Sequence, residues 1–198
     1  MMNKAETLKL AEKVIETMFD NSTCKEEKYS TDRIHSIHTR KWVLRLKPNA
    51  SIELQIAALG HDIDRTNDLR RIRSENYEDY EEYKKEHALL SAEILGDELI
   101  KHGIDLELVD KVKRIVEKHE VGGDEESDIL KVADSLSFFE DNIELYYRTR
   151  GRDRTKFKIK FMYERLPDYA KDIIREIKFE SKEIVEIEEE VFSSMQLV

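Results

Sequence analysis

Only two prolines and six glycines punctuate this 198-residue chain, and that scarcity limits what it can fold into. Tight turns and hairpins draw on Gly and Pro for backbone angles that other residues adopt only at a cost. A chain this poor in both cannot close many short strands. β-sandwiches, collagen-like repeats and Gly/Pro-rich disorder are excluded on that ground, and long helices are favoured.

The apolar spacing agrees. Leu8, Ala11, Val14, Ile15, Met18 and Phe19 recur at helical intervals behind Asn3 and Glu6, a capping-box pair. Thr31 or Asp32 can cap a second helix running toward Pro48, and Ser51 a short, strongly apolar one through Leu54, Ile56, Ala57, Ala58 and Leu59. Residues 64–76 are polar and unpatterned, which suggests a loop with a short helical turn. Long helices are expected over 77–102, stopped by Gly103, and from Asp105 to about His119, broken by Gly122 and Gly123. A further one spans roughly 128–148, and Arg150-Gly151-Arg152 interrupts before a helix through Phe157, Phe161, Met162 and Leu166. Pro167 then opens a last helix carrying Ile173, Ile177, Ile184, Ile187 and Val191. No repeat or linker divides these elements. The expectation is an all-α fold, one compact domain of about eight helices over residues 1–198.

With 34 basic and 44 acidic residues the net charge is −10, which argues against general nucleic-acid binding, since that needs a broad basic face. Cys24 is alone, so no intrachain disulfide is possible and a reducing cytosol is expected. The N-terminal Met-Met-Asn-Lys-Ala-Glu lacks the apolar core of a signal peptide, and no apolar run approaches the roughly 20 residues that cross a bilayer. A cytoplasmic protein with no membrane partner is the expectation. The Glu/Lys alternation reads as a solvated surface.

His61-Asp62 is the sharpest feature. The helix before it is almost wholly apolar and should be buried, yet it ends in an imidazole beside a carboxylate. Burying both without partners costs several kcal/mol. A divalent metal is one partner that satisfies both, because imidazole nitrogen and carboxylate oxygen suit Mn, Fe, Co, Ni or Zn.

Ala57-Ala58-Leu59-Gly60-His61-Asp62-Ile63 resembles the signature of the HD-domain metal-dependent phosphohydrolase superfamily. In that family a first His lies on an earlier helix and a last Asp on a later one. The segments around His38 and Asp134 resemble these two elements, and those around His87 and His119 resemble the extra histidines of subfamilies with a second metal or a phosphate-contacting imidazole. The resemblance spans roughly residues 31–137, an HD-like core on which helices 153–198 would pack. It implies His38, His61, Asp62 and Asp134 as metal ligands, with His87, His119 and His35 as further candidates.

His35 and His38 compete for the first position, three residues apart on one helix face. His38 is preferred because Trp42 lies four positions on, whereas His35 has Thr39 there. His35 is then expected to orient a ligand or touch substrate. His102, next to Gly103, is read as a helix-end residue and excluded. The pair continues as Ile63-Asp64-Arg65 rather than with the Gly-Lys or Gly-Glu of many HD enzymes, which leaves the general acid unassigned.

Phosphate binding needs cations, and guanidinium forks suit phosphate oxygens. Arg65 is the first candidate, and Arg150 represents the later basic set around 148–160. The resemblance therefore implies a hydrolase of phosphate esters or anhydrides, using one or two divalent ions (Mn, Fe, Co, Ni, Mg or Zn). Asp62 and Arg65 would be catalytic and the substrate a nucleotide or other small phosphorylated metabolite. A di-iron oxygenase on the same scaffold and a non-catalytic metal or nucleotide sensor are the alternatives. The apolar stripe of the last helix leaves a homodimer open.

Overall fold

Asn3 starts the first helix in the manner its neighbours suggest. Its Oδ1 accepts from the Glu6 backbone N–H at 3.0 Å and Glu6 Oε2 accepts from the Asn3 N–H at 2.9 Å, after which α1 runs Lys4–Asp20. The computed structural model describes residues 2–23 and 28–196; Cys24 lies outside them. The described residues form helices and their connections, with no strand. No helix among them is long and apolar enough to cross a membrane.

The order after α1 is α2 (Lys28–Leu46), α3 (Ile52–Gly60), α4 (Tyr80–Lys101), α5 (Leu106–Glu117) and α6 (Glu125–Ser137). Between α3 and α4 lie two short 3₁₀ turns, Ile63–Thr66 and Ser74–Asn76. A π-turn over Phe138–Asn142 leads into α7 (Ile143–Glu164), followed by α8 (Asp168–Glu176) and α9 (Lys182–Gln196). Ser51 and Asp105 cap α3 and α5 through their side-chain oxygens.

Several boundaries differ from those expected. α2 begins at Lys28, one turn before Thr31 and Asp32. The helix expected over 128–148 is divided by the π-turn. The expected last helix is two helices, because Ser181 Oγ accepts from the Ile184 N–H at 3.3 Å and so starts α9 afresh. The interruption expected at Gly151 survives as a kink within α7, with φ 77° and ψ 177°. Residues up to Ala133 make one compact unit and those from Asp134 a second.

In the first unit α3 is the hub. Leu54, Ile56, Ala57 and Ala58 are fully buried, and α3 packs against α1, α2, α4 and α5. Fully burying a leucine or isoleucine contributes about 1.5–3 kcal/mol, so this helix end is held firmly. Gly60 permits a close approach: a Cβ there would sit 2.6 Å from Leu95 Cδ2 on α4. The residues next along the chain are His61 and Asp62.

In the second unit α7 packs on α9, with Ile159, Met162, Ile184, Ile187 and Val191 buried. Tyr163 and Phe192 bring their rings to 4.4 Å between centroids. Asp134 belongs to this unit, and its Oδ2 accepts from Arg165 Nη2 at 2.6 Å.

Candidate metal centre

Every helix of the first unit from α2 to α5, with the 3₁₀ turn after α3, brings a polar side chain to one buried place. α2 contributes His35, the end of α3 contributes His61 and Asp62, α4 contributes His87, and the end of α5 leads to His119. All five are buried. Their donor atoms form two groups that could each hold a metal ion: His35, His61 and Asp62, and Asp62, His87 and His119. Asp62 is shared.

The carboxylate of Asp62 divides its two oxygens between those groups. Oδ2 faces His61 Nε2 at 3.7 Å and His35 Nε2 at 4.0 Å, while Oδ1 accepts from His87 Nε2 at 2.8 Å. Oδ2 also forms a close ion pair with Arg65 Nη1. Burial alone would push the Asp62 carboxyl up, but Arg65, His61 and the His87 hydrogen bond outweigh it and hold it well below the usual carboxylate range. Asp62 is therefore ionised.

Two of the histidines are fixed by the backbone. Nδ1 of His61 lies 3.0 Å from the Ala58 carbonyl, and Nδ1 of His119 lies 2.7 Å from the Val116 carbonyl. A carbonyl oxygen only accepts, so in each ring Nδ1 carries the proton and Nε2 is the nitrogen presented to the centre. Metal-ligating histidines are oriented in this way, with the far nitrogen donating to a carbonyl or carboxylate. Burial holds the His119 ring below its ordinary pKa, and its Nε2 also faces the Glu120 carboxylate.

His87 is held differently. Its Nδ1 lies 3.0 Å from Asp64 Oδ1, and Asp64 Oδ1 also accepts from Ser91 Oγ at 3.0 Å. Burial would lower the His87 pKa, but Asp64 and Asp62 together push it up to about 10. The His87 imidazolium thus places a positive charge between two carboxylates.

Further charges ring these groups. Lys84, buried one turn before His87 on α4, makes a close ion pair with Glu120, whose Oε1 lies 3.1 Å from His119 Nε2. Arg65 Nη1 also reaches Asp32 Oδ1 at 3.3 Å. Burial pushes the Asp32 carboxyl up despite Arg65 beside it.

His38, the preferred first ligand, is half-buried and belongs to neither group; His35, one turn earlier, takes that place. The inward stripe of α2 is His35, Ser36, Thr39, Trp42 and Val43, all buried. The residue four after His35 is a buried threonine, Thr39. Asp134 carries its ion pair with Arg165 in the second unit and is in neither group. Arg150 is exposed on α7 in that unit. His102 is exposed, with Nδ1 on the Glu98 carbonyl at 2.8 Å. Of the other cations, Arg70 pairs with Glu93, Arg73 with Asp68 and Lys156 with Glu190 on the surface.

Asp64, Lys84 and Glu120 were not foreseen. Asp64 lies in a stretch with no periodicity to mark it. Lys84 did carry a signal, since Lys84, His87, Ser91 and Leu95 follow the buried spacing of α4.

A family model described as "Domain of unknown function (DUF4202)" matches residues 8–186. No curated protein and no solved structure matches the chain.

Proposed function

This chain belongs to the DUF4202 family, and from its buried histidine–aspartate centre we propose that it is a divalent-metal-dependent phosphohydrolase acting on a small phosphorylated metabolite such as a nucleotide. The observation that carries this reading is the pair of rings at His61 and His119, each locked through Nδ1 so that Nε2 faces the ionised Asp62. Imidazole nitrogens converging on an ionised carboxylate are a donor set that suits a divalent ion.

His35, His61, Asp62, His87 and His119 would hold one ion, or two with Asp62 between them. A divalent ion in that place polarises a phosphoryl oxygen and acidifies water. The protein's own residues do the rest. Asp64 and Ser91 keep the His87 ring facing Asp62. Lys84 neutralises Glu120 beside His119, so the carboxylate does not repel an anionic substrate. Arg65, 22% exposed, supplies a guanidinium to phosphate charge that grows as the ester bond breaks. The resemblance of the segments around His61, Asp62, His87 and His119 to the HD superfamily is what suggests phosphate chemistry.

The test is a screen of phosphorylated metabolites with protein reconstituted with Mn²⁺, Fe²⁺, Co²⁺ or Mg²⁺, reading free phosphate and pyrophosphate separately. Release that vanishes in His61→Ala is expected. No release from any substrate, together with dioxygen consumption by the iron-loaded protein, would favour an oxygenase at the same centre.

A further inference from the structure

Arg65 occupies a place that a bound ion would contest. Its Nη1 makes its close ion pair with Asp62 Oδ2, the same oxygen that faces His35 Nε2 and His61 Nε2. An ion held by His35, His61 and Asp62 would share that oxygen with a guanidinium, and two cations on one carboxylate oxygen repel. The fold provides another acceptor within reach. Asp32 Oδ1 is already 3.3 Å from the same Nη1, and Asp32 Oδ2 is buried without a hydrogen-bond partner. A buried carboxylate oxygen with no donor is costly, and a guanidinium fork is shaped to engage both oxygens of one carboxylate. Asp32 also rides on α2 one turn before His35, so the alternative acceptor and a ligand share one helix.

We propose that Arg65 is an exchangeable counter-cation, which neutralises Asp62 while the centre lacks metal and transfers to Asp32 when a divalent ion binds at His35, His61 and Asp62. The inference rests on the metal reading above. It makes Asp32 a positioning residue, acting on the metal through Arg65. It also gives Arg65 two settings, so metal occupancy fixes where the guanidinium points.

The test measures the Mn²⁺ dissociation constant of the full chain by calorimetry, with no substrate present. Arg65→Gln removes the competing cation and should tighten binding roughly tenfold, within the usual range of coupling between sites. Asp32→Asn removes the alternative acceptor and should weaken binding by a similar factor. The double variant should bind like Arg65→Gln alone, because Asp32 acts only through Arg65. Additive effects in the double variant, or unchanged or weaker binding by Arg65→Gln, would overturn the exchange. A crystal structure of the Zn²⁺-loaded wild type supplies a readout that needs no variant to fold: Arg65 should lie on Asp32, and Arg65 still on Asp62 Oδ2 beside the ion would refute the proposal. Mn²⁺ binding that depends on His61 but ignores Arg65 removes this inference alone. Absence of Mn²⁺ binding in every protein removes the metal reading with it.

Discussion

His61 and His119 meet edge to face with ring centroids 5.2 Å apart, and each anchors Nδ1 on the backbone carbonyl three residues before it. Two separate helix ends thus solve the same problem in the same way. A ring donating from Nδ1 to a carbonyl carries a proton there, and nitrogen-15 NMR of the metal-free protein should report a protonated Nδ1 for both residues. Addition of Zn²⁺ should then shift the Nε2 signals. Nε2-protonated rings, untouched by Zn²⁺, would remove both histidines from the ligand set.

The position of His35 yields a second prediction. His35→Ala should eliminate tight Mn²⁺ binding, since its Nε2 is a member of the group with His61 and Asp62. His38→Ala should keep binding within about tenfold of wild type, the range typical of residues that act through a ligand. Equilibrium dialysis of the two variants decides this. The reverse ranking would return His38 to the centre.

Asp134 and Arg165 form a buried ion pair in the second unit. Removing the Asp134 carboxylate takes away a charge-assisted hydrogen bond, which costs about 1.5–3 kcal/mol. Asp134→Ala should therefore destabilise this unit markedly, as read by hydrogen exchange of its core amides. A variant as stable as wild type that nevertheless loses metal would make Asp134 a ligand.

α9 carries a pH effect of definite sign. Burial, with Glu189 beside it, pushes the Glu188 carboxyl up to about 7 from an ordinary value of 4.5. The folded state then binds the proton more tightly than the unfolded state, so the stability gained is fully present below pH 4.5 and is lost as pH rises through 7. Amide exchange in α9 should accelerate from pH 5 to pH 8, after correction for the intrinsic rate, more in wild type than in Glu188→Gln. Equal changes in both proteins would exclude Glu188 as the source.

Much of the fold was legible because helices announce themselves locally. Asn3, Ser51 and Asp105 cap where their side chains suggested, and Gly103, with φ 81°, follows the end of α4. What failed depends on tertiary packing. Nothing local marks the π-turn at 138–142, and the break at Ser181 was hidden by an apolar spacing that carries across it. In the centre, His61 and Asp62 stand out at the end of an apolar helix, the family resemblance points to His87 and His119, and the structure brings these four together. The choice between His35 and His38 turned on which polar residues of α2 are buried, and Ser36 and Thr39 hide that face from any hydrophobic count. Asp64 serves His87 from a 3₁₀ turn, a contact between residues 23 positions apart that no local pattern encodes.

The central claim is that the shared carboxylate of Asp62 and its histidines hold a divalent ion. Metal-stripped wild type and Asp62→Ala should be titrated side by side with Mn²⁺, with elemental analysis of the metal retained per chain. The expected result is tight binding of one or two ions to wild type, a higher melting temperature on loading, and neither effect in Asp62→Ala. Failure of every divalent ion from Mg²⁺ to Zn²⁺ to bind or to raise the melting temperature of wild type would contradict it.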